Sequence, residues 1–130
     1  MIDASRIPLK KRIGLGLFAL KRGMEARTHD LHYLFWECTL RCNLKCLHCG
    51  SDCTADRTVP DMPAEDFLRV LDRIAGVMNP REIVVCLTGG EPLMRADLAK
   101  TGAHISRRGF GWGIVTNGMA MNAGRFEELL

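Results

Sequence analysis

The sequence of 130 residues predicts an α/β fold, a parallel sheet of about three βα units preceded by an N-terminal helix. Three observations carry this. The apolar runs Tyr33–Trp36, Ile83–Leu87 and Phe110–Val115 each lead into a segment of helical periodicity, and strand–helix alternation predicts parallel strands joined by crossover helices. Ile83-Val84-Val85-Cys86-Leu87 shows no polar alternation, the pattern of a strand covered on both faces. Every distinctive motif follows directly on a predicted strand, at the edge where α/β folds bind ligands.

Taken in order, residues 6–27 read as a helix. Leu9, Ile13, Leu17, Leu20 and Met24 recur at three- and four-residue spacing and share one face. Gly14 and Gly16 weaken it by about 1 kcal/mol each. Residues 1–30 carry seven Lys/Arg against three acids, whereas the remainder sums to −1. Residues 1–32 are therefore expected to form a basic helical segment, and 33–130 an incomplete (β/α) domain. The segment either packs on that domain or presents a basic amphipathic face to a membrane or partner.

Tyr33–Trp36 reads as a buried aromatic strand, and a cysteine-rich loop follows it. Asp61 is expected to cap the next helix, with Pro63, Glu65 and Asp66 in its first turn. Phe67, Val70, Leu71, Ile74 and Met78 form its apolar stripe, and Asn79-Pro80 ends it. After the strand Ile83–Leu87 comes the turn Thr88–Pro92. A helix from about Arg95 to Arg108 turns Leu98 and Ile105 inward and stops at Gly109. Phe110–Val115 is the third strand, Thr116-Asn117-Gly118 its turn, and Asn122 the cap of a last helix with Phe126, Leu129 and Leu130.

Composition narrows the function. No basic stripe runs through the body of the chain, which argues against a general nucleic-acid surface. Ile13–Leu20 is too short to span a bilayer. It is followed by Lys21-Arg22 with no small-residue cleavage site, so no secretory signal is evident. Six closely spaced cysteines without such a signal read as metal ligands in a reducing, cytoplasmic setting. A βα unit takes roughly 30 residues and a closed eight-unit barrel about 250. Three units leave a sheet edge and an apolar face exposed, and the chain is expected to be the front part of a larger domain.

The chemistry centres on Cys42, Cys46 and Cys49, at C-x3-C-x2-C spacing. An iron–sulfur cube normally takes four cysteines. Three leave one iron open, and an open position is where a reactant binds. Arg41 and Lys45 each precede a ligand cysteine, and neighbouring cations favour the thiolate. Asn43, Lys45 and Gly50 suit an irregular loop. Spacing alone also admits a structural zinc, with His48, Cys38 or Cys53 as fourth ligand. About forty residues on, Gly89-Gly90-Glu91-Pro92 places two permissive glycines, a carboxylate and a helix-opening proline at the ligand edge of the sheet. That second motif tips the balance toward the cube.

The two motifs together resemble the radical S-adenosylmethionine (radical SAM) superfamily. The stretch Trp36-Glu37-Cys38-Thr39 running into Cys42-Asn43-Leu44-Lys45-Cys46 is similar to the branch whose longer members carry a C-terminal SPASM domain. The match covers residues 33–118 and implies a partial (β/α) barrel of the radical SAM type. It implies a 4Fe–4S cluster on Cys42, Cys46 and Cys49. S-adenosylmethionine would chelate the open iron through its amino and carboxylate groups. Gly89, Gly90 and Glu91 would hold the methionine amino group, and His48 would stack beside the adenine. Thr116 and Asn117, at the end of the third strand, are candidates to line the same site. The reaction implied is reductive cleavage to a 5′-deoxyadenosyl radical that takes hydrogen from a substrate, a peptide among the plausible ones. A reductant such as flavodoxin or ferredoxin is implied with it. The rival readings are an iron–sulfur carrier or scaffold and a zinc-stabilised interaction domain. Cys38 and Cys53 flank the triad without matching the motif, and Cys86 reads as core.

Overall fold

The computed structural model describes residues 7–26, 30–56 and 58–130. Positions 6 and 27, the expected limits of the first helix, lie outside them. The chain divides into two compact units, one ending at Leu31 and the other running from His32 to Leu130.

The first unit contains helix α1, Leu9–Glu25, entered from Pro8 and containing no buried residue. Lys21 and Glu25 pair one turn apart at 3.5 Å. Leu9, Ile13, Leu17, Leu20 and Met24 fall within it as the periodicity predicts, and each is exposed.

The second unit is a three-stranded parallel sheet in the order β1-β2-β3. Strands β1 (Tyr33–Thr39), β2 (Val84–Gly89) and β3 (Gly111–Ile114) alternate with helices α2 (Ala64–Ala75), α3 (Leu98–Arg107) and α4 (Ala123–Leu129). Trp36 opposes Leu87, and Leu87 opposes Ile114. The register slips between Glu37 and Thr39, so that Thr39 meets Gly89. β1 thus runs three residues beyond the aromatic run, because β2 supplies partners as far as Gly89.

One sheet face is covered. Leu71, Val85, Leu87 and Ile105 are fully buried there, and Trp36 stacks on Phe67 at 4.1 Å. Fully burying such side chains contributes about 1.5–3 kcal/mol each. The other face is open, which corrects the expectation of cover on both sides. Phe35 is 66 % and Val84 41 % exposed, and Cys86, expected in the core, is half-buried. A short apolar run cannot tell a strand buried on both faces from one whose second face awaits further strands.

Helix α2 begins after Pro63, with no side-chain cap. Asp61 is not its cap, because its carboxylate is drawn to Arg41 instead. The buried stripe is Ala64, Phe67, Leu68 and Leu71. Val70 and Met78 are exposed, so the inward face lies one residue round from the expected one. Gly109 stops the α3 segment at φ 88°, and Asn122 caps α4 by accepting from Arg125 N at 2.9 Å. Phe126 and Leu130 nevertheless stay exposed.

Candidate functional site

The cysteine loop leaves β1 after Thr39 and is tied back at both ends. The Cys42 N–H donates to the Thr54 carbonyl at 3.2 Å, within an isolated parallel bridge between Arg41 and Thr54. Cys42, Cys46 and Cys49 line one cavity of about 410 Å³, with Lys45, Cys53, Gly90 and Asn117 among the other lining residues. Cys46 and Cys49 are exposed and Cys42 is half-buried. Local bonds shape the loop: Leu44 N donates to Cys42 Sγ at 3.4 Å, and the Cys49 thiol to the Ser51 carbonyl at 2.9 Å. Ligation would release that thiol proton, since the thiolate is the metal-binding form.

The Gly-Gly-Glu-Pro turn closes the cavity from β2. Gly90 N donates to Thr39 O at 2.8 Å and Glu91 N to Arg41 O at 2.9 Å. The glycines are explained by this crossing. Gly89 has φ 121°, and a Cβ there would stand 2.2 Å from Thr39 O; one on Gly90 would stand 2.3 Å from Arg41 O and 3.1 Å from Cys42 Cβ. The permissive glycines thus allow a close approach to the backbone that starts the cysteine loop.

Glu91 is 0 % exposed. Its Oε1 accepts from Leu93 N at 2.9 Å and Thr116 Oγ1 at 2.7 Å, and its Oε2 from Asn117 N at 2.7 Å. Burying a carboxylate without such donors would cost several kcal/mol. Asn117 also reaches the cysteine loop, donating to Asn43 Oδ1 at 2.8 Å. Asn117 therefore joins the turn to the loop, and Thr116 helps hold Glu91 beneath it. His48 is exposed and lies outside the cavity lining.

Beneath the loop sits a charge network that sequence reasoning missed. Arg95, its side chain 5 % exposed, donates to both Asp97 oxygens at 2.8 and 2.7 Å. It also donates to Cys38 O at 2.6 Å and Met62 O at 3.1 Å, and lies 5.1 Å from the Trp36 ring centroid. Burial opposes its charge, but the Asp97 bonds hold it protonated even more firmly than usual. Asp61 takes Arg41 at 2.6 Å, so that guanidinium is committed to a carboxylate rather than free for the Cys42 thiol. Burial pushes the Cys38 thiol up to about 11, against the lowering pull of Arg95. Cys38 belongs to the core and lies outside the cavity lining. The only sequence signal for this network was the Arg95-x-Asp97 spacing, which exposed surfaces also produce.

The donor set fits a sulfur-held group. Four of the lining side chains are thiols, soft ligands that select iron–sulfur clusters or zinc over hard cations. Among the described residues no three His, Cys, Asp or Glu side chains converge on a point that would hold a single ion. A single zinc ion needs such convergence at roughly 2.3 Å from each sulfur. A cube does not, because each cysteine binds a different iron.

Comparison with known proteins agrees with this geometry. The Radical SAM superfamily profile matches residues 36–130. Fe-coproporphyrin III synthase of Methanosarcina barkeri is 35 % identical over 121 residues, covering 85 % of this chain and 30 % of that protein. PqqA peptide cyclase of Granulibacter bethesdensis is 30 % identical over 99 residues, covering 75 % of this chain and 25 % of that protein. The chain thus spans about 30 % or less of the length of these relatives. The crystal structure of Streptococcus suis SuiB bound to S-adenosylmethionine superposes with TM-score 0.60 at 20 % identity, over 95 % of this chain and 29 % of that one. That likeness shows the fold.

Proposed function

This chain belongs to the radical SAM superfamily, and on that premise we propose that it binds a 4Fe–4S cluster through Cys42, Cys46 and Cys49 and presents the open iron to S-adenosylmethionine. The chemistry that such a cluster would supply is one-electron reductive cleavage of S-adenosylmethionine, for hydrogen abstraction from a substrate. The rest is the protein's task. The loop supplies three thiolates. Lys45 lines the same cavity and lowers the cost of gathering negative charge there. Gly90 lines the cavity directly after Gly89, and their backbone carbonyls would serve the methionine ammonium group. Asn117 lines the same cavity, and His48, exposed between Cys46 and Cys49, would stack beside the adenine.

The observation that carries this reading is one cavity lined at once by the three motif cysteines, by Gly90 and by Asn117. Two motifs about forty residues apart in sequence share one site. The relatives named as a synthase and a cyclase are enzymes, one named for a porphyrin and one for a peptide. A peptide or tetrapyrrole substrate is proposed accordingly, within the SPASM-type branch, with a flavodoxin- or ferredoxin-like reductant.

A second reading, an iron–sulfur carrier without S-adenosylmethionine chemistry, is favoured by one observation: Cys53 lines the same cavity. Anaerobic reconstitution with iron and sulfide, followed by EPR of the reduced protein, decides between them. Cys42→Ala, Cys46→Ala and Cys49→Ala should each abolish the broad visible absorption. Cys53→Ala should keep it, and S-adenosylmethionine should alter the EPR signal. A cluster lost on Cys53→Ala and indifferent to S-adenosylmethionine selects the carrier.

A further inference from the structure

We propose that Glu91 and Asn117 are positioning residues for the ligand cysteine Cys42, acting on the cluster before S-adenosylmethionine arrives. The proposal rests on the functional reading above and departs from the direct contact with the methionine amino group that the resemblance implies for Glu91.

The geometry runs in one direction. The Glu91 carboxylate is 0 % exposed and is not among the residues lining the cavity. Three donors of the chain serve it, two of them at the end of β3: Thr116 Oγ1 at 2.7 Å and Asn117 N at 2.7 Å. The carboxylate therefore fixes the backbone of Asn117. The side chain of Asn117 does line the cavity. Its Oδ1 accepts from Met119 N at 2.9 Å, which settles the amide orientation and leaves both Nδ2 hydrogens for the loop. One goes to Asn43 Oδ1 at 2.8 Å. The other lies toward Cys42 Sγ, with Nδ2 at 3.9 Å.

Outer groups that hydrogen-bond a metal ligand orient it and tune the metal, and hydrogen bonds to cluster sulfurs are among the determinants of reduction potential. An N–H dipole aimed at a thiolate stabilises the extra negative charge of the reduced cluster, and so raises its potential. Glu91 holds that dipole in place. The Gly-Gly-Glu-Pro turn and the cysteine loop are thereby coupled through Asn117 without any bound nucleotide.

The test uses the full chain, reconstituted anaerobically and studied without S-adenosylmethionine by EPR-monitored redox titration. Asn117→Ala should shift the midpoint potential to more negative values and change the reduced EPR line shape. Glu91→Gln should shift both the same way. The double variant should show less than the sum, as expected of residues acting in one chain of contacts. Where Glu91→Gln unfolds, as judged by circular dichroism, Thr116→Val takes its place. It removes one donor and leaves Asn117 N, and a smaller shift of the same sign is expected. A wild-type potential and spectrum in Asn117→Ala overturn the proposal. A wild-type chain that takes up no cluster, or whose reduced signal ignores S-adenosylmethionine, overturns the functional reading instead.

Discussion

The Gly-Gly-Glu-Pro turn and the cysteine loop border one cavity but are held in different ways. In the turn, Glu91 and Leu93 are buried, and a Cβ on either glycine would meet backbone at 2.2–2.3 Å. In the loop, Cys46 and Cys49 are exposed, and Leu47 is 97 % exposed. The bonds around Cys46 and Cys49 span two or three residues, while the longer ones, from Asn117 to Asn43 and from Ser51 to Glu37, hold only its two ends. The turn is thus part of the folded core. The loop draws little from that core beyond the anchors at its ends. The difference teaches that residues of one motif-defined site can be constrained for separate reasons, one by packing and the other, under the proposed function, by ligation. Substitutions should therefore divide into those that lower stability and those that remove the ligand.

The sharpest way to break the comparison is at Arg95, which follows the turn and bonds the backbone of Cys38 and Met62. Arg95→Met removes both bonds to Asp97 and those to Cys38 O and Met62 O. Asp97 is 43 % exposed, so the change strands no buried charge. Losing charge-assisted hydrogen bonds and leaving the buried Cys38 carbonyl unpaired nevertheless costs about 3 kcal/mol, and a drop of that size in denaturant-measured stability is expected. Arg95→Lys should recover only part of it, because a single ammonium cannot reproduce the planar fork. A loss below about 1 kcal/mol would show that the network is incidental to the core.

A smaller effect separates the core cysteine from the loop cysteines. Burial holds the Cys38 thiol neutral up to about 11, against an ordinary value of 9.0. The sign follows from a folded value above the unfolded one. The contribution is complete below about pH 9 and is lost as pH rises toward about 11. It amounts to on the order of 2–3 kcal/mol. Cys38→Ser should flatten this alkaline slope, measured as denaturant midpoint against pH.

Next comes Gly90→Ala. Its Cβ would meet Arg41 O at 2.3 Å and crowd Cys42 Cβ at 3.1 Å. Overpacking of this kind costs about 1–3 kcal/mol, to be read from the shift in thermal midpoint. Because Arg41 starts the cysteine loop, cluster uptake should fall as well. Wild-type stability and full uptake would mean that the crossing opens easily.

What could be read in the sequence follows the same divide. The order of elements, the parallel sheet and the gathering of three cysteines in one loop were legible because each depends on local pattern. The reason for Gly89 and Gly90 was not, because the atoms that forbid a side chain belong to Thr39 and Arg41, about fifty residues earlier. Asp61 looked like a helix cap because acids before a helix usually cap it. Only the folded chain brings Arg41 to it at 2.6 Å. Glu91 was legible as a carboxylate at the ligand edge, but its three donors come from Leu93, Thr116 and Asn117, two of them just past the end of β3. The cover on β2 was misjudged because an apolar run states what a strand can bury, not which neighbours are present to bury it.

The smallest expected change in stability is also the most telling. Cys46 and Cys49 are exposed, and surface substitutions away from packed features usually lie within about 0.5 kcal/mol. Cys46→Ala in the metal-free chain should therefore unfold within about 0.5 kcal/mol of wild type, while the reconstituted variant shows none of the visible absorption of a bound cluster. Binding to the native state alone stabilises it by mass action, so the wild-type chain should gain stability on reconstitution and Cys46→Ala should not. If Cys46→Ala destabilised the metal-free chain as much as Gly90→Ala does, the loop would be part of the core after all, and the contrast between the two regions would fail.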